Sequence, residues 1–484
     1  RGPGATNASA GVHIGHQDST PMILLIGQVA RGMIEREAFQ EIDYRRMFGQ
    51  MAKWVAQIDD ASRIPEFLHR AFMCATSGRP GPVVLALPED MLTDLAAAAD
   101  GIPFQQVESA PDPNSMTILR DKLSTAARPL LVLGGGGWAQ EGIDAIRRFA
   151  EANELPVAAA FRRQDYLDNR HRCYAGDIGI GPNPKLIERL NQADLLIVVG
   201  ARLGEMTTTG YTLLGLPHTH QNLVHIHNDS EELGRVYQSE LAIPSGLNAA
   251  SLALAELEPI ASPAWAGQAD RAHRDYLSYV EPSPQNTSGG VDMRTVMALL
   301  REHLPPDTIV TNGAGNYSGW LNRFWLHEGF RSQLAPTSGS MGYGFPAAIA
   351  ACLVEKRRQV VCFSGDGCFL MTGQEMATAV QYDLNLLVIL VNNSMYGTIR
   401  MHQEREYPAR ISGTDLKNPD FVALAHAYGA EAWQAATTED FEASFAEALT
   451  RTGPRLIEII LDPEIITTKT TLTKIRENSL ASRH

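Results

Sequence analysis

Residues 360–397 read VVCFSGDGCFLMTGQEMATAVQYDLNLLVILVNNSMYG. A short apolar, β-rich run (360–364) leads straight into Gly365-Asp366-Gly367, a helical pattern follows at 373–382, and a second apolar run (386–391) ends in Asn392-Asn393. Asp366 and Asn393 stand 27 positions apart, about the length of one strand–helix–strand crossover between parallel strands. Both side chains then emerge at the carboxyl ends of parallel strands, where α/β sheets bind ligands. Alone, Gly-Asp-Gly is a turn and Asn-Asn a loop. Each following a buried strand, one crossover apart, they make a site. A carboxylate and an amide oxygen are hard donors suited to Mg²⁺, which takes one or two carboxylates and completes its shell with phosphate oxygens and water. The glycines beside Asp366 allow close approach of the backbone to a phosphate. The stretch therefore predicts a diphosphate held through Mg²⁺.

The same rhythm extends outward. Further apolar runs lie at 22–26, 83–87, 130–133, 156–160, 195–199, 223–227, 308–311 and 456–461, and most are continuous, as in strands buried on both faces of a parallel sheet. Helical patterns lie at 61–76, 140–152, 184–192, 291–303, 345–355, 418–428 and 439–451. This alternation predicts an α/β fold. Two stretches break it. Residues 99–115 carry three prolines, and 281–290 (EPSPQNTSGG), after a loose stretch from about 259, are rich in Pro, Ser and Gly. Both read as linkers, leaving units at 1–98, 114–260 and 288–484. The N-terminal RGPGATN reads as a glycine-rich turn, as though the chain began inside a domain.

A chain of 484 residues is too long for one ordinary core. With 44% apolar and 20% charged residues it has the composition of a soluble globular protein. The formal charge of −14, without a basic block, argues against nucleic acid or a membrane as partner. Five scattered cysteines without C-x-x-C fit a reducing cytoplasm.

The GDG…NN pattern resembles the motif of thiamine-diphosphate-dependent enzymes, and 365–397 is similar to the acetolactate synthase (large, catalytic subunit) branch. The resemblance covers nearly the whole chain, including RGPGATN, EAFQE and SGRPGPVVLALPED in its first part. It implies three doubly wound parallel-sheet domains: pyrimidine-binding (1–98, truncated at its N-terminus), central (114–260) and diphosphate/Mg²⁺-binding (288–484). It also implies Mg²⁺ ligation by Asp366, Asn393 and the carbonyl of Met395. The diphosphate would lie against Gly365, Gly367, Cys368, Tyr396 and Gly397, with Asn316 standing in the family's GQH segment (314–316). Relatives often carry Ser where Cys368 stands. A thiol is the weaker donor, which leaves that contact to the backbone N–H.

Residues 337–346 (TSGSMGYGFP) resemble the family's segment whose bulky apolar residue wedges between the two cofactor rings. Met341 is then the wedge, its N–H meeting the aminopyrimidine and the Gly339 carbonyl accepting from the 4′-amino group. The bend sets the 4′-imino nitrogen beside thiazolium C2. Phe39 and Gln40, in EAFQE, would line the reaction pocket of a partner subunit. The implied assembly is a homodimer or homotetramer with active sites at subunit interfaces. The family's activating glutamate falls upstream of Arg1, so no Glu here takes that role by motif, and the chain by itself is expected to be a poor catalyst.

The sequence also departs from the pattern. Where anabolic synthases carry an RFDDR-like FAD-binding segment, this chain reads ARLGEM at 201–206, so FAD stays open, and the glycine run 134–137 reads as a structural turn. Residues 395–400 (MYGTIR) are closer to benzoylformate-type decarboxylases. The implied activity is decarboxylation of pyruvate and its condensation with a second 2-keto acid, a cytoplasmic step of branched-chain amino acid biosynthesis. A non-ligating 2-keto acid decarboxylase and an inactive cofactor-binding homologue are the alternatives.

Overall fold

Consecutive residues of the strand Leu386–Asn392 face opposite cores. Leu387, Ile389 and Val391 pack with Val361 and Phe363 beneath the helices Met293–His303, Ser318–Phe324 and Thr438–Leu449. Leu386, Val388 and Leu390 pack with Val360 and Cys362 beneath Gly344–Val354, Met376–Gln381 and Phe421–Tyr428. Helices on both faces explain why the run is apolar without alternation. The computed structural model describes residues 1–285 and 290–482. Of the expected linker at 281–290, residues 286–289 lie outside the described residues.

The chain falls into two compact units. One comprises Arg1–Phe161 and Ile187–Ala269, the other Arg162–Leu186 and Asp270–His484. The first holds two parallel sheets. In one, Pro82–Pro88 lies between Met22–Gln28 and Trp54–Gln57. In the other, strands run in the order Val157–Ala159, Pro129–Leu133, Leu195–Val199, Asn222–His227, Leu241–Pro244. The second unit's parallel sheet has the order Gln333–Leu334, Ile309–Asn312, Val360–Gly365, Leu386–Asn392, Arg455–Ile460, Glu431–Ala435. The fold is α/β with three doubly wound parallel sheets.

Every strand expected from an apolar run is present. The strands without such a run, Trp54–Gln57, Tyr174–Asp177, Leu241–Pro244, Gln333–Leu334 and Glu431–Ala435, are short edge strands. With only one neighbour each, they need little continuous apolar sequence. Two expectations are corrected. RGPGATN is the start of a helix, Gly2–Asp18. Pro3 sits in its first turn, where a missing N–H costs nothing, and a Cβ on Gly15 would lie 3.0 Å from the Met22 sulfur, so glycine there lets the helix press on the sheet. The loose stretch after 259 contains the helix Gln268–Tyr279, whose polar composition hid it. Among the described residues no helix is long and apolar enough to cross a membrane.

The segment Arg162–Leu186 of the second unit carries two enclosed carboxylates, Asp165 buried and Asp177 partly buried. Asp165 accepts the N–H groups of Ser332 and Gln333 at 3.1 and 3.3 Å, and Asp177 accepts Gln164 Nε2 at 3.1 Å. Burial pushes Asp165 up to about 6 and Asp177 up to about 7. Groups raised in the folded state favour folding below the unfolded carboxylate value and lose that contribution as pH rises through the folded value. Stability of this unit is therefore expected to fall as pH rises from about 4 to about 7. Asp177→Asn should flatten the upper part of that slope, read by thermal melts across pH.

Candidate functional site

At the carboxyl ends of the strands Ile309–Asn312, Val360–Gly365 and Leu386–Asn392 lies a cavity of about 240 Å³. It is where a parallel α/β sheet binds ligands. The expected residues Asn316, Gly339, Met341, Gly365, Asp366, Gly367, Cys368, Asn393, Met395, Tyr396 and Gly397 all line it, although they are spread over 82 positions of chain. Phe39 and Gln40 lie in the first unit. The Phe39 ring is 79% exposed, and Gln40, at φ +67°, accepts the Gly2 N–H through its carbonyl at 3.1 Å.

Asp366 begins the short helix Asp366–Phe369 and is buried. One carboxylate oxygen accepts the Gly367 N–H at 2.8 Å and the other accepts Asn418 Nδ2 at 2.8 Å. Burial raises its pKa, against the pull of Asn418 and the Gly367 and Ser394 N–H groups. Asn418 Nδ2 also reaches Asn392 Oδ1 at 2.8 Å. Asn392 Nδ2 in turn donates to Glu458 at 2.7 Å, and Glu458 accepts Gln434 at 2.9 Å. A chain of hydrogen bonds thus runs across the strand ends and fixes the carboxylate. Asn418 and Glu458 were not visible as site residues in sequence. The first asparagine of the Asn-Asn pair was the only signal for this network.

Ser394 has φ +54°, sparsely populated for a non-glycine residue. It is held by Asn392 Oδ1, which accepts its N–H at 3.0 Å, and by the Leu416 N–H, which donates to its carbonyl at 2.8 Å. This turn carries the chain from Asn393 to Met395. The Met395 side chain is buried with Ile466 and Leu472, and its carbonyl accepts the Gly397 N–H at 2.9 Å.

The glycines flanking Asp366 have a reason beyond access to a phosphate. A Cβ on Gly365 would stand 2.6 Å from the Tyr317 ring, and one on Gly367 2.8 Å from the Tyr396 ring. Asn316 lines the cavity with its amide already engaged. Thr398 Oγ1 donates to its Oδ1 at 3.0 Å and accepts its N–H at 3.0 Å. Arg162, buried and absent from the sequence reading, donates to the carbonyls of Gly313 (3.0 Å) and Pro336. It thereby joins two loops that border the cavity.

In the first unit the glycine run 134–137 is packed against protein. A Cβ on Gly134 would lie 2.7 Å from the Ala201 Cβ, and one on Gly136 2.7 Å from the Ser19 carbonyl oxygen.

Three family models match the chain, each describing a thiamine pyrophosphate enzyme: the N-terminal TPP binding domain at residues 1–47, the central domain at 117–255 and the C-terminal TPP binding domain at 313–459. The acetolactate synthase large subunit of Parasynechococcus marenigrum is 32% identical over 95% of this chain and 75% of its own length. The isozyme 2 and isozyme 1 large subunits of acetolactate synthase from Escherichia coli are 30% and 31% identical, over 95% and 96% of this chain and 83% and 82% of their own. The chain belongs to the thiamine pyrophosphate enzymes and is an enzyme of the acetolactate synthase type.

Proposed function

We propose that the protein is a Mg²⁺-dependent carboligase that decarboxylates pyruvate and condenses the two-carbon product with a second 2-keto acid to give acetolactate. The carrying observation is the single cavity that gathers Asp366, Asn393, Met395, Met341 and the glycine loops at the strand ends. The donor set fits the metal. Asp366 is a buried carboxylate whose hydrogen-bond partners are an amide and backbone N–H groups, and the neighbouring Asn418 Oδ1 is buried with no partner among the described residues. A hard cation with its bound waters satisfies both. Asp366, the Asn393 amide and the Met395 carbonyl would hold Mg²⁺, and Gly367, Cys368, Tyr396 and Gly397 would border the diphosphate.

When bound, thiamine diphosphate supplies the electron sink for decarboxylation. The chain's own residues bind and orient. Met341, 38% exposed in the cavity wall between Gly339 and Gly342, would press against the cofactor. The Gly339 carbonyl would accept its 4′-amino group. Phe39 and Gln40 would act on the substrate from the partner subunit of a homodimer or homotetramer in the cytoplasm. FAD forms no part of the proposed chemistry, since the glycine run is packed against protein. Arg400, in the segment closer to benzoylformate-type decarboxylases, is bound by Glu404, four residues on in the same helix, at 3.1 Å.

Incubation of the full-length protein with thiamine diphosphate, Mg²⁺ and pyruvate should yield acetolactate, assayed as acetoin after acid treatment. Acetaldehyde as the main product would overturn the carboligase reading. Met341→Ala removes the apolar wall while leaving the metal donors, so kcat should fall about tenfold, the equivalent of about 1.4 kcal/mol, with cofactor affinity changed much less. Equal losses in both would refute the wedge.

A further inference from the structure

We propose that the Cys368 thiol and the Tyr317 phenol are positioning groups, which tie the loop presenting Met341 to the helix beginning at Asp366, and that the Cys368 side chain is no ligand of the diphosphate. The inference rests on the cofactor reading above. Tyr317 Oη donates to the Cys368 sulfur at 3.1 Å, and the Gly342 N–H donates to the same sulfur at 3.2 Å. The Gly313 N–H donates to Tyr317 Oη at 3.1 Å, and Thr372 Oγ1 donates to the Gly342 carbonyl at 2.8 Å. The sulfur is buried where three segments meet, one from the end of each of the strands Ile309–Asn312, Gln333–Leu334 and Val360–Gly365.

The loop needs such a tether. Met341 stands near two glycines with left-handed backbone, Gly339 at φ +66° and Gly342 at φ +81°. Glycine in that region brings little conformational order of its own, and a Cβ on Gly339 would meet nothing within 4 Å. Gly342, by contrast, sits hard on the helix side, where a Cβ would come within 2.8 Å of the Met371 Cβ. The position of Met341 is therefore set from its carboxyl side, through the N–H and carbonyl of Gly342. Tyr317 is locked in turn, since its ring fills the space that side chains on Gly315 and Gly365 would take. A thiol that accepts two hydrogen bonds inside the wall, and is itself a weak donor, serves the wall better than it serves an anion in the cavity.

The test is a double-mutant cycle of Cys368→Ala and Tyr317→Phe, with Cys368→Ser as the conservative variant. Amide exchange of the 337–346 segment is measured on cofactor-free protein. The dissociation constant of thiamine diphosphate with Mg²⁺ and kcat for acetolactate are measured on the loaded enzyme. Each single variant should speed exchange in that segment and lower kcat about tenfold, the effect of one lost hydrogen bond to a buried N–H. Affinity should move much less. The double variant should be no worse than the worse single, because both cut one tie, and Cys368→Ser, which keeps an acceptor, should stay near wild type. Unchanged exchange, additive effects, or a loss of affinity with kcat preserved would overturn the proposal. Wild-type protein that binds no thiamine diphosphate would overturn the cofactor reading instead, a result separable because exchange is read without cofactor.

Discussion

Asp366→Ala is expected to abolish Mg²⁺-dependent binding of thiamine diphosphate at working concentrations, a loss of about 3 kcal/mol or more, roughly 150-fold in affinity. The carboxylate is the one charged donor of the proposed metal set, and its burial makes it expensive to ionise without a cation. Removing it takes away the charge that offsets the metal and frees Asn418 from one of its two partners. Asp366→Asn keeps the shape and the Gly367 contact, so it isolates the charge, and its loss should be nearly as large. Titration calorimetry with Mg²⁺ present and absent gives the answer. Affinity that survives Asp366→Ala within about threefold would show that the metal is held elsewhere.

Glu404→Ala should be the most destabilising single change outside the cavity, by about 3–5 kcal/mol. The Glu404 side chain is fully buried in the helix Gly397–Glu406. It accepts Arg476 Nε at 2.7 Å, the Ala409 N–H at 3.0 Å and Arg400 Nε at 3.1 Å. The hydrogen bonds from Arg476 lead the causes that hold its carboxyl down at about 2. A depressed carboxylate contributes its stability above the unfolded value and loses it only as pH falls through the folded one. This pair is therefore indifferent to pH between about 5 and 8, unlike Asp165 and Asp177. Truncation leaves Arg400 without its buried partner and releases the helix Leu472–Ala481 from the one that follows Asn393. Proteolysis or amide exchange should show 472–481 opening first. Glu404→Gln, which retains the acceptor, should recover part of the loss. A melt unchanged by Glu404→Ala would refute the tie.

Much of the site was legible because its chemistry is local. Asp366 and Asn393 each end a strand that is apolar throughout, so the pattern that makes the strand also marks its tip. The edge strands went unread for the opposite reason, since Trp54–Gln57 and Glu431–Ala435 are paired on one side only. The helix Gly2–Asp18 was missed because glycine and proline penalise an isolated helix, whereas here the packing of Gly15 against Met22 and Pro82 outweighs propensity.

By itself the sequence determined the α/β alternation, the order of the units, the place of Asp366 and Asn393 at neighbouring strand ends and the family, because each depends on residue type at short spacing along one or two elements. Only the tertiary structure decided how the pair is held. Asn418 and Glu458 reach Asp366 through neighbouring strand ends, Arg162 joins two loops from more than 150 positions away, and the Cys368 thiol turns into the wall toward Tyr317 and Gly342. Those partners are fixed by hydrogen bonds between segments far apart in the chain, and such pairings leave no periodic trace in a single sequence.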